Sequence, residues 1–245
     1  MRTLFFLIVS LFFFSCKKEK PMKEILSTKL DLIKVDSDLT TNENKERIKT
    51  DTIFFNYDEK VKLNDYALIS ILDKKYTEDS ISTATFKIDF MLKKQLVYSH
   101  QLKVKNIDNG SQWYGNLELD SVASPLKTIT LGYPACGYAQ QNFLFYTNGE
   151  RNNLIYNWTS SSDSGWGEWG KIVTGRPDNF VFRIEAFVPD EEETINDEDE
   201  KGIVQFSDSI HFYLKNNSWV KSLKTPKSKV YRSKKLSFNK FHKLN

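Results

Sequence analysis

The amino-acid sequence predicts an all-β domain, an antiparallel sandwich of about eleven strands. Apolar residues recur at every second position over residues 84–92 and several later segments, a period typical of half-buried antiparallel strands. Asn-Gly dipeptides at 109–110 and 148–149 lie between strand-like segments and favour tight hairpin turns. Amphipathic helical patterns are almost absent. An irregular, propeller-like stack of hairpins is the alternative architecture.

The individual strands follow from this alternation in chain order. Residues 84–92 place apolar side chains on even positions, Lys93-Lys94 marks a turn, and residues 96–104 continue an apolar face. Residues 180–188 and 204–214 form two further alternating rows. The predicted strands lie near residues 52–56, 66–72, 83–92, 96–105, 113–119, 127–133, 142–146, 153–158, 166–173, 179–188 and 203–214.

The composition excludes several classes of protein. The 245 residues include 35 Lys and Arg against 32 Asp and Glu, for a formal net charge of +3, and the mean hydropathy is −0.49. These values exclude a polytopic membrane protein, and 14% aromatic residues argue against a wholly disordered chain. The near-neutral balance gives no general case for nucleic acid as a partner.

The N-terminus carries an export signal. Arg2 precedes the apolar segment Leu4 to Phe14, whose eleven residues are too few to span a bilayer, which takes about 20. The segment ends in Phe13-Phe14-Ser15-Cys16. This N-terminus resembles that of a bacterial lipoprotein precursor. The resemblance implies that residues 1–15 are a removed signal peptide.

The same resemblance implies a lipid on Cys16 and attachment to the membrane. Lys17, rather than Asp, follows this cysteine, which in such lipoproteins implies the outer membrane. The alternative is an ordinary signal peptide, or an uncleaved anchor, with an incidental cysteine.

Residues 16–50 are predicted to be the lipidated cysteine followed by a flexible charged tether. From residue 17 to 50 there is no aromatic residue, and there are nine Lys and Arg and seven Asp and Glu. Such a segment buries too little apolar surface to compensate for the conformational entropy lost on ordering. With Cys16 lipidated, Cys136 is the one remaining thiol, so an internal disulfide framework is excluded. Cys136 lies in a Pro- and Gly-containing bend, where a small buried residue is favoured over a nucleophile.

Two charged segments differ from the all-β domain predicted for residues 51–220. Residues 190–200 contain eight carboxylates, and the basic tail, residues 221–245, contains nine Lys and Arg and no acid. The first is expected to be an exposed loop. The tail is expected to fray beyond the last strand, and it could bind an anionic surface or fold against the acidic loop.

Three tryptophans form a candidate ligand surface. Trp158, Trp166 and Trp169 surround a Ser- and Gly-rich segment, and aromatic faces can stack on sugar rings. In an extended strand, however, Trp166 and Trp169 point to opposite faces. Packing within the core or across a hairpin is therefore the favoured interpretation, and a glycan-binding loop is the alternative.

The acidic segment contains a weak calcium-like spacing. Asp197, Asp199 and Asp208 fall at positions 1, 3 and 12 of an EF-hand-like pattern. Lys201 at position 5 and the strand-like flanks indicate a coincidence, although a weak Ca²⁺ contact stays open. The histidines His100, His211 and His242 show no metal-ligand spacing. No metal site or cofactor is predicted.

These observations favour a non-enzymatic, lipid-anchored binding or interaction module on the cell envelope. The chain contains no nucleophile elbow, phosphate-binding Gly-rich loop or dinucleotide fingerprint. The membrane, a glycan, an envelope protein or an anionic surface are the expected partners. The alternative is an envelope hydrolase acting on glycans or peptides, because paired carboxylates leave no fixed spacing in a sequence.

Overall fold

A computed structural model of the domain describes residues 48–55, 65–76, 81–108, 110–115, 124–135, 137–148, 152–190 and 201–244. These ranges contain thirteen strands and one short helix, joined in antiparallel pairs into two sheets. The all-β sandwich prediction is confirmed. The predicted signal peptide, Cys16 and the predicted tether up to residue 47 lie outside the described residues. Within the described ranges no helix is long and apolar enough to cross a membrane.

The first sheet is a four-stranded meander in the order β1-β2-β3-β4. Its strands are β1 (Ile48–Phe54), β2 (Asp65–Tyr76), β3 (Ile81–Leu92) and β4 (Gln95–Ile107). The predicted alternation is present in β3, whose Ala84, Phe86 and Ile88 are buried. Lys93 and Lys94, both with positive φ angles, form the predicted turn between β3 and β4.

The second sheet follows the order β12-β11-β10-β9-β8-β7-β6-β5, with β13 also paired to β11. Its strands are β5 (Gln112–Gly115), β6 (Leu126–Gly132), β7 (Ala139–Thr147), β8 (Asn152–Asp163), β9 (Trp166–Arg176), β10 (Asn179–Pro189), β11 (Lys201–Lys215), β12 (Ser218–Leu223) and β13 (Arg232–Ser237); the helix α1 is Phe238–Leu244. Residues 108–111 join β4 to β5 in the other sheet, so the hairpin predicted at 109–110 is wrong. The hairpin predicted around 148–149 joins β7 to β8, which pair.

Strand β7 is buried on both faces and lies between two cores. Phe143 and Phe145 pack with residues of β5, β6 and the first sheet. Leu144 and Tyr146 face the opposite way and pack with residues of β6, β10 and β11. A strand covered on both sides reads as a continuous apolar run instead of an alternating one, which explains the sequence from Phe143 to Tyr146.

The second sheet folds over because β8 and β9 separate. The two strands pair only where Ser161–Asp163 meets Trp166–Glu168, beside the turn at 164–165. Beyond that pairing the ring of Tyr156 on β8 contacts those of Phe182 and Phe212, on β10 and β11, with centroids 5.1 and 5.4 Å apart. Aromatic side chains of β8, β10 and β11 therefore pack together in one core.

The basic tail is folded, so the expectation that it frays is wrong. Strand β12 pairs with Ile210–Lys215 and β13 with Lys201–Phe206, both along the edge of β11 that β10 leaves open. Phe241 of α1 is 5% exposed and packs with Phe187 and Val204 in a third core. The structured domain thus continues to the end of α1.

Candidate functional site

A bulge in β11 at Asp208 separates the pairing sites of β12 and β13. Asp208 has a φ of 47°, in the left-handed region that non-glycine residues adopt rarely. Its side-chain Oδ1 accepts a hydrogen bond of 2.7 Å from the backbone N–H of Ser228. Ser228 belongs to the segment between β12 and β13, residues 224–231, which we call the basic loop. Asp208 therefore holds the middle of this loop against β11.

Backbone hydrogen bonds fix both ends of the basic loop. The N–H of Lys224 donates to the carbonyl of Ser209 over 2.8 Å, and the N–H of Ser209 donates to Thr225 Oγ1 over 3.0 Å. At the other end the N–H of Tyr231 donates to the carbonyl of Phe206 over 3.0 Å. Because the loop is anchored at its ends and its middle, its side chains are presented in a defined arrangement.

The basic loop exposes both cations and apolar groups. Lys224, Lys227 and Lys229 are exposed. Leu223, Val230 and Tyr231 are 53%, 48% and 43% exposed, although large apolar side chains are usually buried. The nine cations of residues 221–244 are all exposed: Lys221, Lys224, Lys227, Lys229, Arg232, Lys234, Lys235, Lys240 and Lys243.

On the other side of the bulge lies a group of titratable and aromatic residues, the acid–aromatic cluster: Tyr156, Trp158, Glu168, Asp208 and Lys221. Lys221 Nζ lies 4.5 Å from the ring centroid of Tyr156, in cation–π geometry. The rings of Tyr156 and Trp158 are stacked at 6.1 Å. Glu168 lies on β9 beside the turn to β8, opposite Ser161. Strands β8, β9, β11 and β12 each contribute to the cluster.

Burial and the charge of Asp208 shift the pKa values of this cluster. Burial, reinforced by Asp208, raises the pKa of Tyr156 to about 12, so its phenol stays protonated near neutral pH. The same two causes raise the pKa of Glu168. Burial and the nearby Lys227 lower the pKa of Lys221, while Asp208 acts in the opposite direction. Both causes act on Glu168 in the same direction, because burial and a nearby negative charge each disfavour the ionised carboxylate.

The arrangement has two chemical capacities. The basic loop can bind phosphate or carboxylate groups, because Lys ammonium groups attract anions and donate hydrogen bonds to them. The acid–aromatic cluster combines a phenol, an ammonium group and two carboxyl groups, which can donate and accept hydrogen bonds. Glycoside hydrolases also use two carboxyl groups, one of which donates a proton.

The three tryptophans of the predicted ligand surface are half-buried and lie in two separate cores. Trp158 packs on Phe182 with ring centroids 4.9 Å apart. Trp166 stacks on Phe187, and Trp169 lies 5.9 Å from the ring of Phe241. Trp166 and Trp169 thus both pack against the core around α1. The structure does not bring the three indoles together as one platform.

The predicted calcium residues cannot be assembled from the described chain. Asp197 and Asp199 lie outside the described residues, while Asp208 holds the basic loop. Among the residues that the structure describes, no group of three or more His, Cys, Asp or Glu side chains could hold a metal ion.

The three histidines lie on separate elements. His100, on β4, packs edge-on against Phe145, and burial lowers its pKa. His211 Nε2 lies 2.6 Å from Asn179 Oδ1, and His242 Nε2 lies 3.1 Å from the carbonyl of Gly165. Each histidine thus has its own local packing partner. Cys136 lies outside the described residues.

The sequence reasoning missed Tyr156, Glu168 and Lys221 as a group, because they lie on three strands and share no local motif. The positive φ of Asp208 could not be predicted from the sequence either. Aspartate is enriched in that conformation, but the residue type alone does not identify it. Comparison of this chain with protein-family models, curated proteins and solved structures finds no match.

Proposed function

We propose that this chain is a lipid-anchored protein of the cell envelope whose all-β domain is a non-enzymatic module that binds an anionic partner. The anchor rests on the resemblance of Phe13-Phe14-Ser15-Cys16 to a lipoprotein signal, with Lys17 favouring the outer membrane. The observation that carries the binding role is the basic loop, whose backbone is held against β11 by hydrogen bonds and which exposes three lysines. A preformed cationic surface binds anions without a large cost of ordering.

A thermal-shift measurement tests the binding role. The fragment 17–245 contains all members of the three described cores, which come from residues 53–241, so it retains that packing. We expect an anionic envelope component to raise its melting temperature, because a ligand at 100 times its dissociation constant stabilises by about 2.7 kcal/mol. Ca²⁺, EDTA and uncharged envelope glycans complete the panel. A shift with uncharged glycans alone would contradict the role given to the basic loop.

The anchor is tested separately in cells. The substitution Cys16→Ser removes the sulfur to which the lipid would be attached, so the protein should leave the membrane fraction after cell fractionation. Replacement of the other cysteine, Cys136→Ser, is the matched control and should leave the distribution unchanged. An unchanged distribution of the Cys16→Ser protein would exclude a lipid on that residue.

The second candidate is an envelope hydrolase, and one observation favours it. Burial and the charge of Asp208 both raise the pKa of Glu168, as expected for an acid that donates a proton. Incubation of the wild-type fragment with envelope glycans and peptides would detect turnover. Turnover that disappears in Glu168→Gln, while the fold is retained, would replace the binding module with this alternative.

A further inference from the structure

We propose that the basic loop is a membrane-facing surface that docks the domain onto anionic phospholipid headgroups. This inference deepens the proposed function and rests on it, because it names a lipid surface as the anionic partner. Its first support is the combination of side chains in one short segment: the exposed Lys224, Lys227 and Lys229 lie between the exposed Leu223 and Tyr231. Such a combination suits the boundary between headgroups and acyl chains.

The second support is charge segregation along β11. Asp190 and Lys201, which flank the acidic segment, lie beside the end of β13, where Asp190 pairs with Lys235 over 2.7 Å. Lys201 is seven residues from Asp208 along β11, which corresponds to about 23 Å of strand. Asp190, the described residue of the acidic segment, is thus paired near one end of β13, and the basic loop lies at the other end of that strand. The exposed Lys224, Lys227 and Lys229 make the potential around the basic loop positive.

The third support is the fixed geometry of the loop. Its backbone is held at Lys224, Ser228 and Tyr231 by hydrogen bonds to β11. Lysines and apolar groups on a fixed loop can meet a flat surface together, so little entropy is lost on docking. A membrane is favoured over a free phosphate because a single small anion would use the lysines but leave Leu223, Val230 and Tyr231 exposed.

The proposed lipid anchor also favours docking. If Cys16 carries a lipid, the domain is attached to a membrane through the chain that precedes β1. Attachment raises the effective concentration of the membrane at the domain, so even a weak surface contact is populated.

The experiment measures binding of the fragment 17–245 to sedimented vesicles. The vesicles contain phosphatidylethanolamine with phosphatidylglycerol, or phosphatidylcholine alone as the uncharged reference. The test variant carries Lys224→Gln, Lys227→Gln and Lys229→Gln. The control variant carries Lys74→Gln, Lys103→Gln and Lys105→Gln, three exposed lysines of the first sheet. Both variants lose the same net charge, so only the position of the charge differs.

We expect the fragment to bind the anionic vesicles and not the uncharged ones, and we expect added salt to release it. Each lysine near an anionic membrane contributes on the order of 1 kcal/mol, which corresponds to about fivefold in affinity. The test variant should therefore bind about 100-fold more weakly, and the control should bind like the wild type. Replacement of apolar groups, Val230→Ser with Tyr231→Ser, should weaken binding without changing its salt dependence.

Several outcomes would overturn the inference. Equal weakening in both lysine variants would show that net charge, rather than the basic loop, controls binding. Competition by inorganic phosphate, beyond that of chloride at the same ionic strength, would indicate a site for a free anion. Absence of vesicle binding would reject the membrane as the partner but leave the lipid anchor and the wider anion-binding role untouched, because these are tested by Cys16→Ser and by the thermal-shift panel.

Discussion

The substitution Phe241→Ala tests whether the C-terminal helix is part of the folded domain. Phe241 is 5% exposed, and its ring stacks on that of Phe187 with centroids 4.2 Å apart. A phenylalanine buries about 150 Å² or more, which at about 25 cal/mol per Å² corresponds to about 4 kcal/mol. This value is an upper bound, and the small core around α1 can relax. We expect a loss of about 3 kcal/mol in the free energy of unfolding.

Urea denaturation followed by tryptophan fluorescence provides the assay. Trp166 and Trp169 pack in the same core as Phe241, so their emission reports on its loss directly. With a slope of about 2 kcal/mol per M, a 3 kcal/mol loss lowers the midpoint by about 1.5 M urea. Lys240→Ala, at an exposed position of the same helix, is the control. If both variants unfold at the wild-type midpoint, the helix does not contribute to the folded core and the reasoning is refuted.

Two further predictions concern the acid–aromatic cluster. Glu168→Gln should raise the melting temperature at neutral pH and have little effect below pH 4. The folded-state pKa of Glu168 lies above its ordinary value of 4.5, so stability is lost as the pH rises from that value towards the folded pKa. The melting temperatures of wild type and Glu168→Gln are measured against pH, and Asp73→Asn, at an exposed position, is the control. Parallel profiles for wild type and Glu168→Gln would refute the predicted effect of Glu168 on stability. Gly170→Ala should cost about 1–3 kcal/mol in urea denaturation, because the new Cβ would lie 2.4 Å from Trp158 Nε1 and 2.5 Å from Phe182 Cζ. Thr174→Ala, at an exposed position of the same strand, is the control and should leave the midpoint unchanged. An unchanged midpoint for Gly170→Ala would contradict the packing described for Trp158.

The sequence was sufficient to predict β1 to β11 because each carries enough apolar residues to indicate a strand, either in alternation or, in β7, in a continuous run. Strand β13, with the sequence Arg-Ser-Lys-Lys-Leu-Ser, contains a single apolar residue. Its existence depends on backbone pairing with Lys201–Phe206, about thirty residues earlier in the chain, and such pairing leaves no periodic signal. A cationic edge strand therefore looks like a frayed tail when it is read from composition alone.

The candidate site was less accessible to sequence reasoning than the fold. Asp208 was considered with Asp197 and Asp199 because of their spacing, yet in the structure its carboxylate faces Ser228. Its charge also acts on Glu168, which lies forty residues earlier on β9. This neighbourhood depends on the order of strands in the sheet and on the separation of β8 from β9. Local patterns contain neither piece of information.

Strand β13 also has a consequence for how copies of this domain meet one another. A sheet edge presents unpaired N–H and C=O groups that can recruit a strand from another molecule, which is a common route to aggregation. Here the edge beside β11 is formed by a six-residue strand whose Arg232, Lys234 and Lys235 are exposed. Two such edges that approach each other place like charges side by side. The lysines that make this edge cationic thus also protect the sheet from growing by addition of further copies.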